Sequence, residues 1–413
     1  MKPRFSVKQL RTFQSFKNPV YTLFYCGTAS QWASGSMQGV IRILLIYRLT
    51  GSGSILGLMA LVQALPMFFL SLFGGVIADR FSKKWIITIG QVIQSLSVFV
   101  VAFTLHTGYL SAENTGSWWV LIVTAAVQGT IAGLIQPSSQ AIIRDIVDEE
   151  GLMNAISLAN MGQNTFQLIG PAIAGFFIEA FGFTWTYFII ASIQLLGSFF
   201  FLIMPVISKV NVNLSNPLKD IPEGLRYVLK ERVLLWILTV AAAGSFLAMP
   251  IAQLMPIFTE DILNVGADGL GILLSIAGLG SIVGSLIFAS IRSKKRGAIF
   301  LLSGVLVSII LIAFSFSENW YISLGLIVVF GLARTGKTTL EPVLLQTYTT
   351  SEYRGRVMSL LIMQMSFFNF GTFLAGVFSD LVGIQWTITG MAAVFLLISI
   401  LMWYKVPVLR KLP

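Results

Sequence analysis

Three charged residues, Arg334, Lys337 and Glu341, interrupt an apolar stretch in the C-terminal part of the chain. Their spacing of i, i+3 and i+7 places them on one face of a helix, and Lys337 can pair with Glu341 one turn later. A charged side chain in hydrocarbon costs ~2.5 to 3.5 kcal/mol, so it normally faces a partner or a water-filled cavity. We expect either a structural ion pair here or, at Glu341, a carboxylate that takes up and releases a proton.

A stripe of amides with one arginine forms a second polar pattern. Gln31, Gln38 and Arg42 lie on one helical face of the apolar stretch 19–48, and similar amides occur in the fifth and seventh stretches. A hydrogen bond between helices is the ordinary role of a single amide, but a complete stripe with Arg42 indicates a water-filled path. The candidate substrate-binding residues are Gln31, Gln38, Arg42, Asn164, Gln253, Arg334 and Lys337.

The sign of these charges limits the substrate. Arg334 and Lys337 are two bases against the one acid Glu341, and Arg42 adds a further positive charge. The other acids of the apolar stretches, Glu179 and Asp380, fall near their ends. A carrier of cationic drugs would be expected to have a buried acid as counter-charge. We therefore expect a neutral, zwitterionic or anionic substrate.

Several other chemistries are disfavoured by the residue types. The single cysteine, Cys26, and the single histidine, His106, exclude an internal disulfide and a histidine metal cluster. Residues 331–338 fit the Walker A pattern, but they lie inside an apolar stretch without the strand and the soluble fold that nucleotide binding requires. No catalytic triad is evident. We expect no cofactor, no metal and no enzymatic activity.

The elements that must position these residues are membrane-spanning helices. Of the 413 residues, 56% are hydrophobic and 11% charged, whereas soluble proteins have about 25% charged residues. Spanning a bilayer takes about 20 apolar residues. The sequence predicts twelve such helices, at 19–48, 54–78, 85–107, 118–141, 154–179, 184–206, 233–258, 269–291, 298–316, 320–345, 357–379 and 385–404.

Basic residues alternate between the two sides of this predicted topology. Of the 27 Lys and Arg, 23 fall in one set of loops and termini, and only Arg48 falls in the other. Positive charge is retained on the cytoplasmic side. Both termini are therefore predicted to be cytoplasmic, and the net charge of +10 does not indicate binding to nucleic acid.

The chain also divides into two similar halves. A segment with two prolines and five bases, 207–232, separates a half at 19–206 from a half at 233–404, and short tails occupy 1–18 and 405–413. An internal repeat relates the halves at a constant offset of 201. Ala174, Gly175, Phe177, Gly182, Trp185 and Thr186 recur as Ala375, Gly376, Phe378, Gly383, Trp386 and Thr387.

A glycine and charged cluster follows the second predicted helix. Gly75 allows close helix approach, while Asp79, Arg80 and Lys84 can form ion pairs or helix caps that hold one conformation. This stretch resembles the loop signature of the major facilitator superfamily, with Ser82 in place of the usual second glycine.

Two further segments narrow the resemblance. Gly170, Pro171 and Gly175 in the fifth helix and the segment 354–360 look like the branch that holds enterobactin exporters and macrolide efflux pumps. Plain helix packing explains the glycines and proline equally well. The arginine that the family often carries in its fourth helix is Ala125 here, which weakens an inference of proton antiport.

The resemblance implies a monomeric secondary transporter with two pseudo-symmetric six-helix bundles in the bacterial cytoplasmic membrane. Its expected partners are a small-molecule substrate, membrane lipid and protons, and its expected direction is export. The alternative is a lysophospholipid or other lipid transporter of the same fold, whose head group would suit the same basic cavity.

Overall fold

The computed structural model describes residues 13–206, 225–290, 295–350 and 353–412, apart from the side chains of 71–80 and of eight further residues. The predicted all-α fold is confirmed, since the described residues contain helices and no strand. The helix Glu149–Ile203 is broken at Gly182, and we call its two parts α5 and α6. The other main helices are α1 (Pro19–Thr50), α2 (Gly53–Arg80), α3 (Lys83–His106), α4 (Trp119–Ile146), α7 (Arg232–Ile262), α8 (Gly266–Ser290), α9 (Arg296–Ser315), α10 (Trp320–Tyr348), α11 (Arg354–Val382) and α12 (Ile384–Lys405).

The described helices are of membrane-spanning character. Within the described ranges, eight are long and apolar enough to cross a bilayer, with Glu149–Ile203 counted once. Helices α1 and α10 have 32 and 29 residues, more than the about 20 that a span needs, but their polar side chains make them less apolar. The number of twelve spans stays a prediction.

Helix α7 is interrupted. A turn at 248–250 separates Arg232–Leu247 from Ile251–Ile257, and a π-helical turn, Phe258–Ile262, ends the element. Proline lacks the amide hydrogen that a helix interior requires. Pro250 lies in the turn, and Pro256 lies within Ile251–Ile257, two residues before the π-helical turn. Of the predicted linker, 207–224 lies outside the described residues, and 225–230 is helical.

Helix packing repeats between the halves. In the N-terminal half, α4 packs on α2 and α3, and α1 packs on Glu149–Ile203; the corresponding pairs, α10 with α8 and α9 and α7 with α11 and α12, pack in the C-terminal half. The halves meet through α2 with α11 and through α5 with α8. These two junctions correspond to each other under the repeat.

The sequence repeat has a structural basis at the turn that joins the last two helices of each half. Gly182 and Gly383 have φ angles of +73° and +86°, which residues other than glycine rarely adopt. Thr186 and Thr387 then donate hydrogen bonds to the carbonyl oxygens of those glycines, at 2.7 and 2.8 Å. The same turn is thus built twice.

The repeat also places equivalent glycines at the two junctions between the halves. A methyl group at Gly376 would meet the backbone oxygen of Gly53, and one at Gly175 would meet the backbone oxygen of Ala267. Because these contacts are to backbone, the neighbouring helix cannot give way by rotating a side chain. Small residues at these positions let the halves approach closely.

The two ends of the molecule are named here from their contacts. Ser15 donates a hydrogen bond to Asn154 at 2.7 Å, and the amide of Gly297 donates to the carbonyl of Leu412 at 3.3 Å. We call the end that carries Ser15 and Leu412 the termini face. The end that carries Gly53 is the opposite face.

Candidate functional site

A cavity of about 640 Å³ lies among α1, α4 and α5. It runs from the termini-face ends of these helices, at Phe24, Arg144 and Ile156, to Ser36 and Gln167 in the middle of the bundle. Its walls combine apolar and aromatic side chains with amides. None of its lining residues is acidic. The amides are Gln31, Gln136, Gln140, Asn160, Gln163 and Gln167.

A smaller chamber of about 170 Å³ continues deeper into the N-terminal half. It shares Gln31, Gly35 and Ala132 with the wide cavity, so the two spaces adjoin. Arg42 is the only charged residue that lines it. Its amides are Gln31, Gln38, Gln63, Gln94, Gln128 and Gln194, contributed by α1, α2, α3, α4 and α6.

The Arg42 guanidinium is held by neutral partners. One terminal nitrogen donates to Gln128 Oε1 at 3.0 Å, and the other donates to Gln63 Oε1. Gln128 in turn donates from its amide nitrogen to Ser97 Oγ at 3.3 Å. The Nε of Arg42 is buried without a hydrogen-bond partner among the described residues.

Close approach of α2 and α4 brings the two glutamines to Arg42. A methyl group at Gly129 would meet the backbone oxygen of Gln63, so only a glycine lets α4 lie against α2 at this level. Gln128 precedes this contact in sequence, and both amides consequently reach the same guanidinium. The Gln-Gly pair of α4 thus has a local structural role beside Ala125, which is buried.

The predicted polar stripe lies at these spaces in part. Gln31, Gln38 and Arg42 line them. Asn164 is exposed and is not among the lining residues, whereas its neighbours Asn160, Gln163 and Gln167 line the wide cavity. Gln253 is partly buried in α7 and lines neither space.

Several site residues were missed by the sequence analysis. Gln63 and Gln194 are the only amides of α2 and α6, and Gln94 shares α3 with Gln91 alone, so none belongs to a stripe as long as that of α1. Each is nevertheless an amide in an apolar helix, which is costly without a partner. That cost was the feature of the sequence from which these glutamines could have been predicted to belong to a polar site.

Two of the three charged residues of α10 form a buried pair. Lys337 and Glu341 are 1% and 4% exposed, and Lys337 Nζ lies 3.4 Å from Glu341 Oε2. The same ammonium donates to the carbonyl of Ala241 in α7 at 3.1 Å and is packed against Gly244. Arg334, by contrast, is exposed. The ion pair therefore ties α10 to α7, and neither of its residues lines the two spaces described above.

Polar contacts join the halves at the opposite face. Arg48 forms a bidentate ion pair with Glu260 at 2.9 and 3.1 Å, and the Tyr47 hydroxyl donates to Asp261. Asp380 accepts hydrogen bonds from the start of α2. These contacts hold the halves together at this end, beside a pocket of about 530 Å³ that Tyr47, Asp261 and Asp380 also line. The wide cavity extends toward the termini face.

The predicted gating residues are described only in part. Gly75, Asp79 and Arg80 lie in α2, but the structure describes only their backbone. Lys84 donates to the carbonyl of Leu202 at the end of α6, at 2.9 Å, which neutralises carbonyl charge at that helix terminus. In this conformation Lys84 therefore stabilises its own half.

The predicted packing residues of α5 divide between two neighbours. A methyl at Gly170 would meet Ser36 of α1, within the N-terminal half. Pro171 and Gly175 instead face α8, where the carbonyl of Pro171 adjoins Gly271. This segment supports the cavity wall and the junction between the halves together.

Comparison with known proteins gives a consistent result. A family model described as Major Facilitator Superfamily matches residues 24–360 and 254–412. The staphyloferrin A transporter of Staphylococcus aureus (strain NCTC 8325 / PS 47) is 24% identical over 357 residues, which cover 84% of this chain and 87% of that protein. The enterobactin exporter EntS of Shigella flexneri is 24% identical over 355 residues, which cover 84% of this chain and 82% of that protein.

Solved structures share the fold. A bacterial homologue of the human lysosomal transporter Spinster, in an inward-facing and unoccupied conformation, has a TM-score of 0.70 and 14% identity and covers 95% of this chain and 97% of its own. The peptide transporter POT in complex with sulfate has a TM-score of 0.73 and 13% identity and covers 95% of each chain. At such identities the likeness concerns the fold alone.

Proposed function

The chain belongs to the major facilitator superfamily, and from this premise we propose that it is a secondary transporter that exports a small amphipathic compound by alternating access. The compound is neutral, zwitterionic or anionic. The observation that carries this proposal is the pair of adjoining spaces that ends at Arg42, whose described lining contains bases and amides and no acid. The name of the enterobactin exporter EntS agrees with export, and both it and the name of the staphyloferrin A transporter agree with a siderophore-like compound.

The distribution of contacts supports a conformation open at the termini face. The Arg48–Glu260, Tyr47–Asp261 and Asp380 contacts close the opposite face. Transport would break these contacts and bring the termini-face ends of the halves together, where the segment around Gly75 and Asp79 provides the gate. The bundles 19–206 and 233–404 would move as units joined by the linker 207–232.

The orientation follows from the alternation of basic loops. With 23 Lys and Arg on one side and one on the other, the termini face is cytoplasmic in our proposal. The protein then acts as a monomer in a bacterial inner membrane, and it takes substrate from the cytoplasm. Membrane lipid surrounds its apolar outer surface.

The proposed coupling residue is Glu341. One of its oxygens, Oε1, is buried without a hydrogen-bond partner among the described residues, and the other pairs with Lys337 at 3.4 Å. Protonation of the carboxylate would release Lys337 and loosen the contact of α10 with α7. Proton movement and helix rearrangement would thereby be linked.

Reconstitution tests direction and coupling together. The purified protein in proteoliposomes would be assayed with catecholate and carboxylate siderophores, cationic drugs and lysophospholipid, with and without an imposed pH gradient. We expect gradient-dependent movement of an anionic or zwitterionic compound and none of the cationic drugs. Transport of cations alone would refute the proposal, and movement of lysophospholipid alone would establish the lipid alternative.

The Glu341→Gln variant isolates the coupling step. We expect it to exchange substrate without responding to the pH gradient. Unchanged gradient dependence in this variant would remove Glu341 from the mechanism and leave it as a structural ion-pair partner of Lys337.

A further inference from the structure

We propose that the chamber around Arg42 is a subsite for one anionic group of an elongated ligand whose apolar body lies in the wide cavity. This inference rests on the proposed transport function and names the substrate chemistry more narrowly. An anionic end, such as a carboxylate or sulfonate, would enter first. The opposite end would remain near the termini face.

The charge of Arg42 has no ionic partner in the described structure. The residue is 9% exposed, its contacts are amide oxygens of Gln63 and Gln128, and no acid lines the chamber. A buried charge without a counter-charge is costly. Amide dipoles offset part of that cost, and an entering anion would offset the rest.

Unused hydrogen-bonding groups lie in the same region. Arg42 Nε and Gln194 Oε1 have no hydrogen-bond partner among the described residues, and both side chains line the chamber. An acidic group in the chamber would accept a hydrogen bond from the Arg42 guanidinium, and such a charge-assisted bond is the stronger kind.

The size of the chamber restricts what it can hold. At about 170 Å³ it is smaller than the roughly 300 to 1,000 Å³ of a pocket that encloses a drug-sized ligand. It therefore suits one functional group and not a whole molecule. The remainder must lie in the adjoining cavity of about 640 Å³.

The wall of the wide cavity indicates the chemistry of that remainder. Phe24, Trp32 and Ile135 provide aromatic and apolar surface, and the one charge there, Arg144, is also basic. Trp32 precedes Arg42 by ten residues of α1, about 15 Å along a helix at 1.5 Å per residue. The ligand is thus an amphipathic anion with an aromatic or apolar body of about this length.

Two glycines leave the passage between the spaces open. Gly35 and Gly39 line the chamber, and a methyl group added at either would meet no atom within 4 Å. A larger side chain at Gly39 would consequently project into open space without displacing a neighbouring helix. Gly39→Leu should fill the chamber and keep the charge of Arg42.

Two dyes of matched shape test the subsite. Anilinonaphthalene sulfonate carries an anionic group, and phenylnaphthylamine has the same ring system without it. Their fluorescence would be titrated with the full chain in nanodiscs, and empty nanodiscs would be subtracted. We expect Arg42→Gln to weaken binding of the sulfonate about tenfold and to leave binding of the neutral dye within twofold.

Matched variants separate an anion subsite from a structural arginine. Arg42→Lys keeps the charge and should retain part of the sulfonate binding, whereas a purely structural role would make both substitutions reduce both dyes equally. Gly39→Leu should also abolish the preference for the sulfonate, and Gly390→Leu, at another open glycine, should not. Equal affinity for the two dyes in the wild type, or a preference unchanged by Arg42→Gln and Gly39→Leu, would overturn the subsite.

The binding assay and the transport assay test the two proposals separately. Equal binding of the two dyes by the wild-type protein would refute the anion subsite even if proteoliposomes transport a neutral compound. Retained preference without transport of any compound would instead refute the proposed transport function. Should Arg42→Gln not fold, Gly39→Leu carries the test alone.

Discussion

Asp380 in α11 accepts a hydrogen bond from the backbone amide of Gly53, the first residue of α2, at 2.7 Å. The same carboxylate accepts from the amide of Ser54 at 2.9 Å and from the hydroxyl of Ser52 at 2.7 Å. A carboxylate at a helix N-terminus satisfies free amides and complements the helix dipole. Since α2 and α11 belong to different halves, this cap holds the opposite face closed.

The cap breaks the symmetry of the repeat. The position equivalent to Asp380 is Glu179, which is exposed. The first turn of α8 contains Asp268, whose carboxylate accepts from the amide of Gly269 at 2.8 Å. At the junction of α2 with α11, the acid that binds the helix start therefore comes from the other half. At the junction of α5 with α8, that acid belongs to α8 itself.

Removal of the cap should favour opening of the opposite face. Asp380→Ala loses three hydrogen bonds at an exposed site. We expect it to destabilise the closed conformation of the opposite face by about 1 kcal/mol, which corresponds to roughly a fivefold increase in the fraction of molecules open at that face. Maleimide labelling of Thr372→Cys, at a buried position of the junction, in a Cys26→Ser background measures this. Glu179→Ala is the matched control and should leave the labelling rate unchanged; equal rates for the two variants would contradict the asymmetry.

Enlargement of a junction glycine should prevent the two halves from packing closely at that junction. Gly376→Ala and Gly175→Ala would each push a methyl group into a backbone carbonyl of the other half, an overpacking cost of about 1 to 3 kcal/mol. We expect a lower thermal denaturation midpoint for both in detergent. Gly390→Ala, in open space, should be neutral, and an unchanged midpoint for both junction variants would show that the halves are not packed at these glycines.

The geometry around Arg42 should depend on Gly129. Gly129→Ala would separate α4 from α2 at the level of Gln63, so Gln63 and Gln128 could no longer both hold the guanidinium. We expect the preference for the sulfonate dye to fall several-fold with the charge intact. Gly325→Ala, where the added methyl meets nothing, is the control, and an unaffected preference would show that the two amides do not position Arg42.

The Lys337 and Glu341 pair can be tested by double substitution. Glu341→Ala leaves a buried ammonium uncompensated and should destabilise the protein by about 3 to 5 kcal/mol. The combination Lys337→Met with Glu341→Leu removes both charges and should restore most of the thermal stability. A double variant as unstable as the single one would contradict the ion pair, and a stable double variant that ignores the pH gradient would support the coupling role.

Much of the fold was predictable from local pattern. Apolar stretches of about 20 residues predict the helices, and Gly182 and Gly383 occur where a repeated turn needs a positive φ angle. The residues of the candidate site were predictable only in part. Arg42 was identified from its stripe, whereas Gln63 in α2 and Gln194 in α6 had no local partner to mark them.

The sequence by itself determined an all-helical membrane chain with two related halves, because hydropathy and an offset of 201 residues are properties of the chain read in order. Only the tertiary structure decided that three helices bring Arg42, Gln63 and Gln128 together, that Lys337 is turned toward α7, and that the face with Asp380 is closed. Helical periodicity assigns a residue to a face of its own helix. Which neighbour that face meets depends on backbone approach at residues such as Gly129 and Gly376, and that is a property of packed pairs of helices.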